Sequence, residues 1–264
     1  MTRDINEICR AMCLTAKSAG RIMHGTNPAD VGITQKPGTA NYVTECDVAV
    51  QKFIARELSV FSPEIGFFGE EDTEKEKLIS DLAFVVDPID GTSNFMMGLR
   101  LSAVSIALCD VKANRTLAAA VYCPYTDELF SATLGGGAYL NGEPMQVSAR
   151  DLEHGLAGFG STPYDRTVAD RHMALLSRVY AKCIDVRNLG TAALHLAYVA
   201  AGRLCAFYEL RLSPWDYAAG ALLITEAGGK ITNFSGEPLD LSAPDSVMAG
   251  NPVAYAELKE LIEE

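Results

Sequence analysis

No stretch of this sequence approaches the roughly 18 consecutive apolar residues of a membrane-spanning helix, so none is predicted. Nor is there a block of lysines and arginines: 22 basic side chains stand against 34 acidic ones, a net charge of −12. Nucleic acid is therefore disfavoured as a partner, because a phosphate backbone is held by a basic stripe. The seven cysteines (9, 13, 46, 109, 123, 183 and 205) form no Cys-x-x-Cys pair, and their number is odd. A disulfide framework and a structural zinc both lack support, and most of these thiols are expected to be small buried apolar side chains. Serine-hydrolase chemistry lacks its Gly-x-Ser-x-Gly elbow, and the triplet Gly135-Gly136-Gly137 lacks the lysine of a phosphate-binding loop. The first twenty residues, MTRDINEICRAMCLTAKSAG, carry acids and no compact apolar region. No signal peptide is predicted, and a cytoplasmic location is expected.

What is present is a composition ordinary for a folded domain, 48% hydrophobic and 21% charged, in a chain of 264 residues. That length suits one large domain or two smaller halves. The apolar spacing predicts a helix over 4–24, with Asp4 and Glu7 spaced as a capping box, and a second helix over 45–60 capped by Thr44, with Val48, Phe53, Ile54 and Leu58 inward. ITQKPGTANY between them reads as an exposed loop. Short strands are expected at 65–68 and 83–86, then at 102–109, 117–123 and 128–133, followed by a turn, GGGAYLNGEP. This part should form a largely antiparallel sheet. After about residue 145 helices alternate with strands: helices near 167–180, 191–201, 214–227 and 253–263, and strands at 182–187 and 204–209 with short ones near the end. The reading is two α+β or α/β halves, 1–145 and 146–264, packed side by side.

Three segments place carboxylates at the ends of these elements. Glu70 follows one strand, Asp87 and Asp90 follow another in VVDPIDGTSNF, and Asp216 opens a helix in SPWD. Brought together, they would repel one another unless cations neutralised them. Oxygen ligands without His or Cys suit a hard ion, Mg²⁺ before Mn²⁺ or Ca²⁺. A helix starting at Gly91-Thr92 would aim free N–H groups at an anion, and Thr92 would orient a water. Metal beside an anion site is the equipment of phosphoryl hydrolysis, in which metal-activated water attacks. Spacing alone leaves humbler roles open. Asp87 to Gly91 also reads as a turn, Asp47 and Asp216 as helix caps, and Glu70-Glu71-Asp72 as a solvated acidic turn. His195, without an acid partner nearby, reads as a packed or surface residue rather than a catalyst.

These motifs, with Lys36 eleven residues before Asp47 in VTECD, GEED at 69–72, GTAA at 190–193 and WDYAAGALLITEAGG at 215–229, resemble the inositol monophosphatase family. Its members are magnesium-dependent, lithium-sensitive phosphomonoesterases, and the match covers nearly the whole chain. The resemblance implies a layered αβαβα sandwich of the inositol monophosphatase and fructose-1,6-bisphosphatase superfamily, usually a homodimer. It implies that Glu70, Asp87, the Ile89 carbonyl, Asp90 and Asp216 hold two or three Mg²⁺, with Asp87 bridging two. Thr92, supported by Asp47 and with Glu70 in the catalytic set, would position and help deprotonate the attacking water. Gly91 and Thr92 N–H groups would hold the phosphate, and Asp90 and Asp216 would also contact the substrate. Gly190, Thr191 and Ala192 would line the polyol pocket, and Glu209, seven residues before Asp216, would contact the polyol. Ser93-Asn94 departs from the Lys-Glu pair of the nucleotide-cleaving branch, and LRLSPWD, with Arg211, resembles bacterial members of the inositol branch. The expected substrate is a small phosphorylated polyol, inositol monophosphate. The alternatives are a sugar bisphosphatase acting on fructose 1,6-bisphosphate, a broad-specificity phosphatase, or a regulatory role with residual activity.

Overall fold

Two helices form the first layer of the computed structural model, which describes residues 4–72 and 81–263: α1 (Ile5–Gly25) and α2 (Glu45–Phe61). In α1, Ile8, Met12, Ala16, Ala19 and Met23 recur at helical spacing and are buried. Asp4 caps this helix by accepting from the Asn6 N–H at 3.3 Å, a single-sided cap in place of the expected Asp4–Glu7 box. The buried stripe of α2 is Cys46, Val50, Ile54 and Leu58, so Val48 and Phe53 sit at its margins rather than at its centre.

Beneath them lies a seven-stranded sheet in the order β3-β4-β5-β6-β7-β8-β9, which is sequence order. Its strands are β3 (Gly66–Gly69), β4 (Leu82–Asp90), β5 (Ala103–Asp110), β6 (Arg115–Cys123), β7 (Glu128–Thr133), β8 (Gly137–Leu140) and β9 (Glu143–Pro144). Only β3 and β4 pair in parallel. The middle helical layer is α5 (Ala192–Ala200) and α6 (Pro214–Glu226). Apart from Tyr198, every residue of α5 is buried, as suits a helix covered on both sides. The second sheet has the order β11-β10-β12-β14-β13. It consists of β10 (Leu156–Phe159), β11 (Asp185–Arg187), β12 (Ala206–Leu212), β13 (Lys230–Thr232) and β14 (Asp245–Gly250). On its outer face α4 (Ala169–Tyr180) and α7 (Pro252–Glu263) bury Leu175, Val179, Leu258 and Leu261. This is the predicted αβαβα order.

Three segments hold strands that were not expected. ITQKPGTANY contains an antiparallel hairpin, β1 (Ile33–Gln35) with β2 (Tyr42–Thr44), whose three-residue arms are masked by the Pro, Gly and Asn between them. GGGAYLNGEP holds β8 and β9. Asn141 and Gly142 both have positive φ (52° and 87°), as a two-residue hairpin turn requires, and the Asn-Gly pair was its signal. The four residues of β10 were not foreseen at all. The seven cysteines are free thiols, five of them buried, as expected.

Candidate active site

The strand β4 was expected to stop before the Asp-Pro-Ile-Asp motif, but it runs through it. Asp87 pairs with Ser105 and Asp90 with Ala103, so three steps on β4 match two on β5, a β-bulge. In a regular strand residues three apart point to opposite faces. The extra residue restores a common face, and Pro88, unable to donate to the ladder, sits in the irregular segment. Asp216 comes to the same point from the first turn of α6. Carboxylate oxygens of Asp87, Asp90 and Asp216 lie within 4.8 Å of one another.

Each of these carboxylates also has a structural partner. Asp87 Oδ1 accepts from the Ile89 N–H at 3.0 Å. Asp90 Oδ2 accepts from the Thr191 hydroxyl and, at 2.6 Å, from the Ala193 N–H, so it caps α5 from another layer. Asp216 Oδ2 accepts from the Ser213 N–H at 2.7 Å and completes a capping box on α6. The capping reading and the cluster reading of Asp216 therefore both hold. Burial, and then the surrounding carboxylates, hold the proton affinities of Asp87 and Asp216 well above the usual range. Burial likewise pushes Asp90 to about 6, against the lowering effect of its hydrogen bonds. Three buried carboxylates that repel one another fit a divalent cation, whose charge would remove the repulsion. Glu70 stands outside this tight trio, with Oε1 at 3.1 Å from Lys36 Nζ, yet its charge contributes to the raised affinity of all three. The rings of Phe68 and Trp215, 5.4 Å apart, pack the strand before Glu70 against the start of α6.

Thr92 begins the five-residue helix α3 (Thr92–Met96). Its Oγ1 is 3.1 Å from both Asp47 Oδ1 and the Ile89 carbonyl. Asp47 is fixed in turn by the capping box of α2, with Oδ2 accepting from the Thr44 N–H at 2.9 Å and from the Thr44 hydroxyl. Gly91 turns the chain from β4 into α3 at φ +87°, and a Cβ there would stand 3.0 Å from the Leu101 carbonyl and 3.1 Å from that of Gly190. Glycine is required by both conformation and space. No side chain caps α3. A cleft of about 250 Å³ opens here, and all the predicted substrate-facing positions line it: Asp90, Gly91, Thr92, Gly190, Thr191, Ala192, Glu209 and Asp216. Asp47, Glu70, Asp87 and Ile89 do not line this cleft, although Asp87 reaches it through the trio.

Residues 4–264 match the model of the inositol monophosphatase family. The chain belongs to that family. It is 39% identical over 240 residues to the Nus factor SuhB of Escherichia coli, covering 90% of this chain and 88% of that protein. Identity to the inositol-1-monophosphatase of Rhizobium meliloti is 36% over 260 residues, covering 98% and 96% respectively. The crystal structure of the extragenic suppressor protein suhB from Bartonella henselae superposes with a TM-score of 0.90 at 36% identity, over 97% of this chain and 98% of that one.

Two residues of this family member's cleft had no visible role in the sequence. Asn94 Nδ2 donates to the carbonyls of Leu101 (2.7 Å) and Leu189 (2.6 Å), tying α3 to the segment before α5. His195 is packed, as expected, and pins that same segment. Its Nδ1–H donates to the Thr191 carbonyl at 2.8 Å, and Nε2 accepts from the Leu189 N–H at 3.0 Å. Burial lowers its pKa to about 4, so the ring is neutral, and it stacks on Phe207 at 4.7 Å. Both contacts are to backbone atoms across a loop, which leave no residue pattern to read. Glu209 was read as a strand end, but β12 continues to Leu212, with a bulge after Glu209.

Proposed function

We propose that this protein is a Mg²⁺-dependent phosphatase that hydrolyses inositol monophosphate to inositol and phosphate. Family membership and the buried carboxylate trio give the class, metal-dependent hydrolysis of an inositol phosphate. The observation that carries it is the convergence of Asp87, Asp90 and Asp216 within 4.8 Å beside Thr92. Asp87, Asp90, Asp216, Glu70 and the Ile89 carbonyl would hold two or three Mg²⁺, whose positive charge makes water more acidic and stabilises the leaving oxygen.

The chain's own groups do the rest. Thr92 Oγ1 accepts a hydrogen bond from the attacking water while donating its own proton to Asp47 Oδ1, which orients a lone pair of the water in line with the phosphorus. Glu70, near enough for its charge to act on the trio, would share in orienting that water. The N–H groups of Gly91 and Thr92 bind the phosphate, and the Gly190–Ala192 backbone with Glu209 orients the polyol. Attack is direct, without a phosphoenzyme. The cleft takes residues from both the 1–145 and 146–264 halves, which supports a division at that point. Homodimerisation, inhibition by lithium and a cytoplasmic location belong to the same reading. Among the described residues no helix is long and apolar enough to cross a membrane.

The test is phosphate release with Mg²⁺ from inositol 1-phosphate, fructose 1,6-bisphosphate, NADP and adenosine 3′,5′-bisphosphate, with Asp90→Asn as control. Preference for inositol 1-phosphate, lost in the variant, is expected; preference for fructose 1,6-bisphosphate would move the protein to the sugar bisphosphatase branch. A second reading, an interaction role beside catalysis, rests on the relatives that carry the name Nus factor. Absence of turnover on all four compounds would bring it forward.

A further inference from the structure

Across the cleft from the carboxylate trio, Glu209 is a buried acid, 6% exposed, and the loop after β10 is shaped around it. Phe159 pairs with Tyr208, and the Gly160 N–H donates to the Tyr208 carbonyl at 3.0 Å, so Gly160 comes level with Glu209 on the neighbouring strand. A Cβ on Gly160 would lie 1.8 Å from Glu209 Oε2 and 2.7 Å from Oε1: the carboxylate occupies the space of the missing side chain. Two residues on, Thr162 donates its N–H to Glu209 Oε1 at 2.9 Å. It does so at φ +45°, a left-handed conformation that a β-branched side chain adopts only when its surroundings impose it. Thr162 is 2% exposed, and its hydroxyl, which makes no well-aligned hydrogen bond, lies close enough to Glu209 to stabilise that carboxylate beside the backbone N–H.

Two unfavourable features therefore meet at one carboxylate: burial of the acid and a strained threonine. A glutamine at 209, which keeps an acceptor for the Thr162 N–H, and a glycine or asparagine at 162 would fold with less cost. Such clustering marks a position held for use rather than for stability. We propose that Gly160 and Thr162 form a clamp that fixes Glu209 in one orientation, and that this clamp sets the preference for hydroxyl-rich phosphate esters over phosphates lacking a polyol. The inference rests on the reading of Glu209 as the polyol contact. Gly160, on the cleft wall, supplies the space and Thr162 the anchoring N–H; both act through Glu209 and are positioning residues. With Oε1 anchored, the carboxylate presents a fixed acceptor to a ring hydroxyl and loses little freedom when substrate binds.

The test is a cycle of Glu209→Ala, Gly160→Ala and the double variant, assayed with Mg²⁺ on inositol 1-phosphate and on p-nitrophenyl phosphate. Gly160→Ala is expected to displace the side chain and raise KM for inositol 1-phosphate about tenfold, the scale of one lost hydrogen bond, with kcat retained. KM for the aryl phosphate should change by less than about twofold, which a general structural defect would not allow. In the Glu209→Ala background the added methyl meets no carboxylate, so the double variant should match Glu209→Ala alone. If Gly160→Ala does not fold, Thr162→Gly serves. It keeps the N–H but frees the backbone to leave φ +45°, and it should raise KM for inositol 1-phosphate selectively. An unchanged KM in Glu209→Ala removes the polyol reading, and the clamp with it. A raised KM in Glu209→Ala, with either no effect of Gly160→Ala or a fully multiplicative one in the double variant, overturns the clamp alone.

Discussion

Thr92 has one hydroxyl proton and two acceptors at 3.1 Å, the Asp47 carboxylate and the Ile89 carbonyl. Only one can receive it at a time, and the charged acceptor makes the stronger bond. With the proton on the Asp47 side, the lone pairs of Oγ1 are left for water. Thr92→Ala should therefore lower kcat by roughly 10²–10⁴, the usual range for lost acid–base assistance, with little change in the Mg²⁺ concentration for half-maximal activity. A large shift in that concentration would instead make Thr92 part of metal binding. Asp47 has two jobs that one substitution separates. In Asp47→Asn the amide oxygen can still accept from the Thr44 N–H and keep the capping box of α2, but the charge facing Thr92 is gone. Activity should fall while the melting temperature barely moves; parallel losses of both would make Asp47 structural only. These residues were legible because each stands next to a punctuating signal: Asp-Gly-Thr, Thr-x-x-Asp, Pro-Trp-Asp. Asn94, His195 and Thr162 were not. Their partners are backbone atoms or a single carboxylate, which no residue type marks: near in sequence for His195, distant for the Asn94–Leu189 contact, and reached through an unusual φ for Thr162.

At the scale of elements the alternation of apolar residues placed every helix of eight residues or more and the central strands, because those are long enough to show a period. What it missed was short or bent. The arms of the 33–44 hairpin have three residues each, and β10 has four, Leu156 to Phe159, with a glycine among them. The bulge in β4 was hidden for a related reason. Asp, Pro and Gly signal a turn in any sequence, and only pairing with β5 reveals that the strand continues. That bulge, the left-handed Gly91 and the cap that Asp90 provides for α5 act as one joint between the sheet and the middle helices. Gly91→Ala should strain that joint twice, through φ and through the two carbonyls near 3 Å. A loss of about 1–3 kcal/mol is expected, the scale of a non-glycine residue forced into such a conformation. Urea unfolding of the metal-free protein would measure it, and an unchanged midpoint would mean that the joint relaxes without resistance.

Over the whole molecule, most of the acidic side chains behind the net charge of −12 lie outside the site, but the costly ones are the few buried carboxylates that face one another. Asp87 and Asp216 are held well above the ordinary range, Asp90 rises to about 6, and burial pushes Glu209 to about 8. A raised acid binds more protons folded than unfolded, so its contribution to stability declines as pH rises from the unfolded toward the folded pKa. The two buried histidines work in the opposite sense. Burial lowers His172, and lowers His195 to about 4, so the folded state gains from them as pH rises toward the ordinary histidine value of about 6.5 and then no further. Above that value the carboxylates set the trend, and the exposed His154, raised by its hydrogen bond to Asp151, adds to it in the same direction. In EDTA, the melting temperature should therefore fall between about pH 6.5 and about pH 8. Adding millimolar Mg²⁺ should raise it, and by more at the upper end of that window, because ligand carboxylates already deprotonated bind the cation without releasing protons. Glu209→Gln should flatten the part of the decline that Mg²⁺ leaves. Calorimetry across this window, with and without the metal, checks the whole argument. A flat profile in EDTA would mean that the carboxylates neither repel nor lose solvation as their positions require, and the case for a cation at their centre would lose its electrostatic ground.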